Sequence, residues 1–152
     1  MTGDLQFRTA RPEDAAAIRA LVLLAYAKWV PVIGREPRPM TADYDRAVVE
    51  HDFDLAQWGA RLVGLIETEP RDGHLWIENV AVHPEAQGKG IGRELLTRAE
   101  RRASACGLAE TRLVTNGAFE ANIALYQRVG YVITTREPFW GGIAVYMSKQ
   151  LV

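Results

Sequence analysis

Apolar positions alternate with polar ones in short runs, and between those runs they recur at helical spacing. LQFRTA (Leu5 to Ala10) has the length of a first strand. RPEDAAAIRALVLLAYAKWV opens with Pro12 and acidic residues, as helix starts do. Ile18, Leu21, Val22, Ala25 and Trp29 then share one helical face. PVIGREPRPM, with three prolines, reads as a loop, and TADYDRAVVE as a shorter helix capped by Thr41. FDLAQW and RLVGLIETEP form a hairpin around Gly59, and RDG turns into the next strand, HLWIENVAV. After QGKGIG comes GRELLTRAERRASACG, a helix stopped by Gly107 with Ile91, Leu95, Leu96, Ala99, Ala103 and Cys106 on one stripe. ETRLVT is a strand and ANIALYQRV a helix ending at Gly130. YVITTRE and IAVYMSKQL are strands joined by an FWGG turn. The order β-α-α-β-β-β-α-β-α-β-β predicts an α/β (α+β) fold, with about seven strands in a mixed central sheet and about four flanking helices.

A chain of 152 residues is expected to form a single domain, residues 1–152. Its 48% hydrophobic and 24% charged residues are ordinary for a globular protein. Eighteen basic and nineteen acidic residues leave a net charge of −1, which lacks the basic surplus of a nucleic-acid binder. The opening MTGDLQFRTA has no leader pattern, and no apolar run reads as long enough to span a membrane. The single Cys106 fits a reducing compartment, hence a cytoplasmic protein, and its place on the helix stripe predicts packing rather than nucleophilic chemistry. His51, His74 and His83 lack metal-ligand spacing, so no metal is expected. His83 reads as loop structure, and Glu100 to Arg102 as a solvated helix face.

The glycine-rich stretch Gln87 to Gly92 invites three readings. A Walker loop would place Ser or Thr after its lysine, but Gly90 and Ile91 follow Lys89. A dinucleotide fingerprint counted from Gly88 would need glycine where Arg93 stands. Gly88, Gly90 and Gly92 still allow positive φ and close approach of an anion to backbone N–H groups at a helix start. A tight strand-to-helix turn without a ligand is the alternative.

NVAVHPEAQGKGIGRELL resembles the acetyl-CoA-binding segment of the GNAT family of N-acetyltransferases. Gln87, Gly90 and Gly92 match its glycine signature, preceded by Val80-Ala81-Val82. Leu125, Tyr126, Gly130 and Tyr131 match a second signature on the later helix. The chain departs from the family at Phe119, where Asn is frequent, and carries Asn122 one turn before Tyr126. The resemblance implies the GNAT fold across essentially the whole chain. It also implies acetyl-CoA as cosubstrate without a metal, and acetyl transfer to an amine in a ternary complex. By the same resemblance, Gln87, Gly88, Lys89, Gly90, Ile91 and Gly92 hold the pyrophosphate, and Val80, Ala81 and Val82 bond the pantetheine arm through their backbone. Asn122 and Tyr126 complete the cofactor site, with Tyr126 protonating the departing sulfur. Lys89 is either a phosphate contact or a solvated loop lysine.

Amine acetylation also needs a proton acceptor. HLWIENVAV has apolar residues on both faces: Leu75, Ile77 and Ala81 on one, Trp76, Val80 and Val82 on the other. Glu78 and Asn79 interrupt these faces. A buried carboxylate there is either the general base or a structural acid with a partner. GNAT acceptor specificity implies a role for the segment between the first two helices and for the last hairpin. Trp29, Ile33, Met40, Tyr44, Phe139 and Trp140 would supply an apolar wall, and Arg35 and Arg38 would meet an acceptor carboxylate. A compact amine is the expected acceptor. A peptide or protein amine, a non-catalytic acyl-CoA-binding module and a nucleotide-binding P-loop protein are the alternatives. Monomer and homodimer both remain open.

Overall fold

In the computed structural model, residues 4–151 are described. Met1–Gly3 and Val152, which the single-domain reading includes, lie outside them. Seven strands form one mixed sheet in the order β1-β2-β3-β4-β5-β7-β6. They are β1 Leu5–Thr9, β2 Asp52–Trp58, β3 Arg61–Arg71, β4 His74–Val82, β5 Glu110–Asn116, β6 Val132–Phe139 and β7 Gly142–Gln150. The β4–β5 pair is parallel and the other neighbours are antiparallel. The helices are α1 Ala15–Tyr26, α2 Val30–Ile33, α3 Tyr44–Glu50, α4 Ile91–Ala105 and α5 Glu120–Arg128.

Each face of the sheet carries its own core. α1 and α3 cover one face, where Ile18, Leu21, Val22 and Tyr44 meet Phe53, Leu55 and Leu65. α4 and α5 cover the other, where Ile91, Leu95, Leu96, Ala99 and Tyr126 meet Val63, Ile66, Leu75 and Ile77. α4 lies close because Gly64 of β3 has no side chain. A Cβ there would stand 2.9 Å from Ile91 Cγ2 and 3.2 Å from Leu95 Cδ1. That contact pins the start of α4, and with it the glycine loop, to the centre of the sheet.

Several local expectations need correction. Pro31 lies inside the one-turn helix α2 instead of a loop, which proline permits in a first helical turn. Asp43, not Thr41, caps α3 by accepting from the Arg46 N–H at 3.2 Å. The Thr41 hydroxyl donates instead to the Arg38 carbonyl at 3.1 Å. Cys106 is exposed rather than packed, because the helix ends at Ala105 and the stripe ends with it. Glu100 and Arg102 leave the solvated face and reach the sheet, pairing with Lys149 at 3.0 Å and Asp54 at 3.0 Å. The run Pro12–Ile33 is 22 residues of nearly continuous helical structure, long and apolar enough by composition to cross a membrane. Its Ile18, Leu21, Val22 and Ala25 face is buried on the sheet.

Candidate active site

The site begins with one extra residue in β4. Glu67 of β3 pairs with Asn79, and its neighbour Thr68 pairs with Ile77, so Glu78 is bulged out of the ladder. A bulge resets the alternation of a strand. Leu75 and Ile77 face the α4 side, and after the bulge Val80 and Val82 face it too. Ala81 joins the α1 core instead. The expected grouping of Leu75 and Ile77 with Ala81 therefore fails at Glu78. Glu78 and Asn79 also do not simply interrupt opposite buried faces: Asn79 is buried, whereas Glu78 is exposed.

Parallel pairing of β4 with β5 ends just before the bulge, at Ile77 opposite Leu113. β5 continues along β7 to Asn116, while β4 continues along β3 to Val82. The strands part, and Val80–Val82 have no strand partner on the β5 side. Two cavities meet at this notch.

The first, about 400 Å³, lies between the end of β4, the start of α4 and α5. Val80, Ala81, Val82, Gln87, Gly88, Gly90, Ile91, Gly92, Asn122 and Tyr126 all line it. Lys89 is exposed and does not line it, whereas Lys28, Arg93 and Arg128 do. Gly88 and Gly90 have φ of 77° and 80°, where glycine is strongly favoured. Gly90 is the N-cap of α4 and no side chain caps that helix, so its first turn, which lines the cavity, keeps N–H groups without a side-chain partner at the positive end of the helix dipole. Gly92 instead allows two helices to approach, since a Cβ there would sit 3.2 Å from Leu125 Cδ2 of α5. Gln87 bridges the loop, donating to the Val82 carbonyl at 3.3 Å and accepting from Lys28 Nζ at 3.4 Å.

The second cavity, about 550 Å³, opens on the other side of the same point. Tyr26, Val80, Asn122 and Tyr126 line both cavities. Tyr126 is buried, and that burial raises its hydroxyl pKa to about 12. A chain of hydrogen bonds braces the shared wall. Tyr26 Oη donates to Asn79 Oδ1 at 2.7 Å, Asn79 Nδ2 donates to Tyr44 Oη at 3.1 Å, and Tyr44 donates to the Pro39 carbonyl at 2.7 Å. It ties α1, β4 and the segment before α3 into one support.

Of the residues expected at the acceptor, Ile33, Tyr44, Arg35, Arg38 and Phe139 line the larger cavity. Trp29 instead lines the smaller cavity and stacks on Phe119 at 4.4 Å. Met40 packs against the α1 core, and Trp140 is 78% exposed at the hairpin tip. Glu78 lines the larger cavity, but its carboxylate is exposed and accepts from Trp76 Nε1 at 2.6 Å.

The buried carboxylate of this cavity is Glu67, 4% exposed. Burial pushes its pKa above the usual carboxylate value, opposed by the hydrogen bond to His51. His51 Nδ1 lies 2.6 Å from Glu67 Oε2, and its Nε2 lies 3.1 Å from Glu69. Burial pulls the His51 pKa down, but the bond to Glu67 and the charges of Glu67, Glu69 and Glu78 outweigh it and raise the value. Sequence reasoning missed Glu67, His51 and Tyr26. Glu67 carries the same kind of signal as Glu78, since it follows the apolar run Leu65–Ile66. No periodic signal links it to His51.

Known proteins resemble this chain in sequence and in fold. The sequence model of the Acetyltransferase (GNAT) family matches residues 18–131. The L-amino acid N-acyltransferase MnaT of Escherichia coli (strain K12) is 37% identical over 65 residues, covering 43% of this chain and 38% of that protein. The chain spans less than two thirds of the length of the curated relatives it matches. The PaiA N-acetyltransferase of Thermoplasma acidophilum, in complex with coenzyme A, superposes with a TM-score of 0.84 at 18% identity, covering 97% of this chain and 99% of that one. A GNAT family acetyltransferase from Elizabethkingia anophelis with acetyl-CoA bound gives 0.71 at 20% identity, covering 99% and 100%. At those identities the two structures speak to the fold.

Proposed function

The chain belongs to the acetyltransferase (GNAT) family, and from that premise we propose that it moves the acetyl group of acetyl-CoA directly to a primary amine within a ternary complex. The observation that carries this reading is the meeting of two cavities at Tyr126 and Val80. The smaller one suits the cofactor. N–H groups of the Gly88–Gly92 loop and the α4 start would hold the pyrophosphate, aided by the charges of Lys28 and Arg93. The unpaired edge of Val80–Val82 would bond the pantetheine arm as an added strand does, and supply an N–H to the acetyl oxygen as negative charge develops. No metal enters the scheme.

The amine nitrogen attacks the acetyl carbon from the larger cavity, the C–S bond breaks, and sulfur takes the Tyr126 proton. A hydroxyl with a pKa of about 12 stays protonated at neutral pH, as a general acid must. A cavity of about 550 Å³ with Arg35 and Arg38 on its wall suits a small-molecule amine, one bearing a carboxylate included. The lone, exposed Cys106 is consistent with work in a reducing, cytoplasmic setting.

The test is thiol release from acetyl-CoA across amino acids, polyamines, drug-like amines and peptides. Turnover with one or more small amines and intersecting initial-velocity patterns support the reading. Reaction only with protein N-termini or lysines would replace the small acceptor with a protein one. Acetyl-CoA binding without turnover on any amine would leave an acyl-CoA-binding module, and stabilisation by ATP but not acetyl-CoA would remove the cofactor assignment.

A further inference from the structure

We propose that Glu67 is the base that takes the proton from the acceptor ammonium, and that His51 passes this proton to solvent. The inference rests on the acetyl-transfer reading above and assigns a role that Glu78 was expected to hold.

Three observations converge on the pair. Glu67 is the buried carboxylate on the wall of the larger cavity, with a side chain 5% exposed. It pairs across the sheet with Asn79, one residue before Val80, and so stands beside the point where both cavities meet. Its Oε2 is held by His51 Nδ1 at 2.6 Å, while the His51 side chain is 23% exposed and also lines the cavity. One end of this relay faces the acceptor and the other faces water. Glu78 lines the same cavity but is exposed in the bulge and engaged by Trp76, and its carboxylate has no histidine partner.

A buried carboxylate without a cation is costly and would hold its own proton at neutral pH. His51 answers that cost by stabilising the ionised form. The other charged and titratable groups around the pair are Glu69 on β3, Arg71 paired with Glu69 at 3.6 Å, Glu78 on β4, Glu50 and Arg46 on α3, and the hydroxyls of Tyr26 and Tyr44. The carboxylates among them favour a protonated His51, and Glu69 at 3.1 Å from Nε2 marks the exit of the relay.

Protons balance across the reaction. R–NH3⁺ gives one proton to Glu67, and the pair releases it through His51. The free amine adds to the acetyl carbon and the C–S bond breaks. Sulfur takes the Tyr126 proton, and the nitrogen returns its second proton to the Tyr126 oxygen. The products are the amide, CoA thiol and one proton in solution.

The experiment follows kcat between pH 6 and pH 10 for the wild-type chain, Glu67→Gln, His51→Gln and Glu78→Gln, with one amine acceptor throughout. The amine's own titration is then common to all four. Glu67→Gln is expected to lose on the order of 10²–10⁴-fold at pH 7. Its deficit should shrink about tenfold per pH unit toward the amine's pKa, because only the already neutral amine then reacts. His51→Gln is expected to move the acid limb up by about one unit, since Glu67 loses the cation that stabilises it. Glu78→Gln should show no deficit that shrinks as the pH rises, only the small shift of the acid limb that removing one neighbouring charge brings. An even loss at every pH in Glu67→Gln marks a structural role and overturns the proposal. So does a pH-dependent deficit in Glu78→Gln instead. If Glu67→Gln fails to fold, the limb of His51→Gln decides, and an unmoved limb overturns the relay. Absence of turnover in the wild type is a separate result, which removes the acetyl-transfer reading itself.

Discussion

Gly90→Ala asks how much the glycine loop depends on its backbone conformation. Gly90 has φ 80° and ψ 9°, the left-handed region. A Cβ added there meets no atom within 4 Å, so packing does not contribute to the cost. What remains is the steric penalty of a left-handed L-residue, about 1–2 kcal/mol. The stiffer unfolded chain offsets about 0.4–1 kcal/mol of it. The net loss is about 1 kcal/mol, or a fall in melting temperature of roughly 2–4 °C for a chain of this size.

Gly73 supplies the control. Its φ is 82°, a Cβ there also meets nothing within 4 Å, and it turns β3 into β4 away from both cavities. Gly73→Ala should therefore lose the same stability and bind acetyl-CoA as the wild type does. Gly90→Ala should in addition misalign N–H donors at the start of α4. Losing one hydrogen bond to a charged oxygen is worth about 1.5–3 kcal/mol, so the acetyl-CoA Kd should rise roughly 10- to 100-fold. Thermal melts with and without acetyl-CoA, with calorimetric titration, separate the two effects. Equal stability losses with wild-type affinity in both variants would refute the idea that this loop's backbone holds the cofactor.

Tyr126→Phe should lower kcat by on the order of 10²–10⁴-fold with acetyl-CoA affinity unchanged. The melting temperature should hardly move, because burial alone accounts for its raised pKa and no hydrogen bond contributes. Tyr26→Phe removes the 2.7 Å bond to the buried Asn79 and should destabilise by about 1–3 kcal/mol in urea melts. Asp14 is held down to a pKa of about 2 by its hydrogen bond to Arg8. That contribution to stability is present above the unfolded carboxylate value and is lost as the pH falls through about 2. Asp14→Asn should therefore flatten the stability profile between pH 4 and pH 2, read from urea midpoints.

The parts of this molecule that follow local rules were legible in the sequence. Seven strands were readable from period-two and short apolar runs, and the long helices from the Ile18 and Leu95 stripes. Glycine spacing marked a left-handed turn into α4, while the reading of a ligand there came from the resemblance to the GNAT signature. The residues expected to form an acceptor wall were only partly placed together by the sequence. Trp29 turns toward the smaller cavity and Trp140 into solvent, since the direction of a side chain between the main elements depends on what packs against it and not on residue type. Glu67 and His51 lie sixteen residues apart and meet only because α3 leads into β2 and lays His51 beside β3. Side-chain partners of that kind are a product of register, which no window of sequence reports.

The bulge at Glu78 links the errors to the chemistry. Strict alternation along HLWIENVAV would put Glu78 in a covered layer and make it the natural base. The extra residue moves it into solvent, and Asn79 takes the buried place opposite Glu67. The same residue turns Val80 and Val82 to the α4 side. The ladder to β5 stops at Ile77, leaving the following edge open to a ligand. One inserted residue thus ends a sheet pairing, brings Val80 and Val82 to the wall of the smaller cavity and shifts the buried acid from β4 to β3. A bulge carries little local signature, because any residue can occupy its exposed position. A polar pair inside an apolar central strand is therefore better read as two possibilities, a buried acid or a register break, and a second acid on the neighbouring strand decides between them. Here Glu67, the last residue of RLVGLIE, is that second acid.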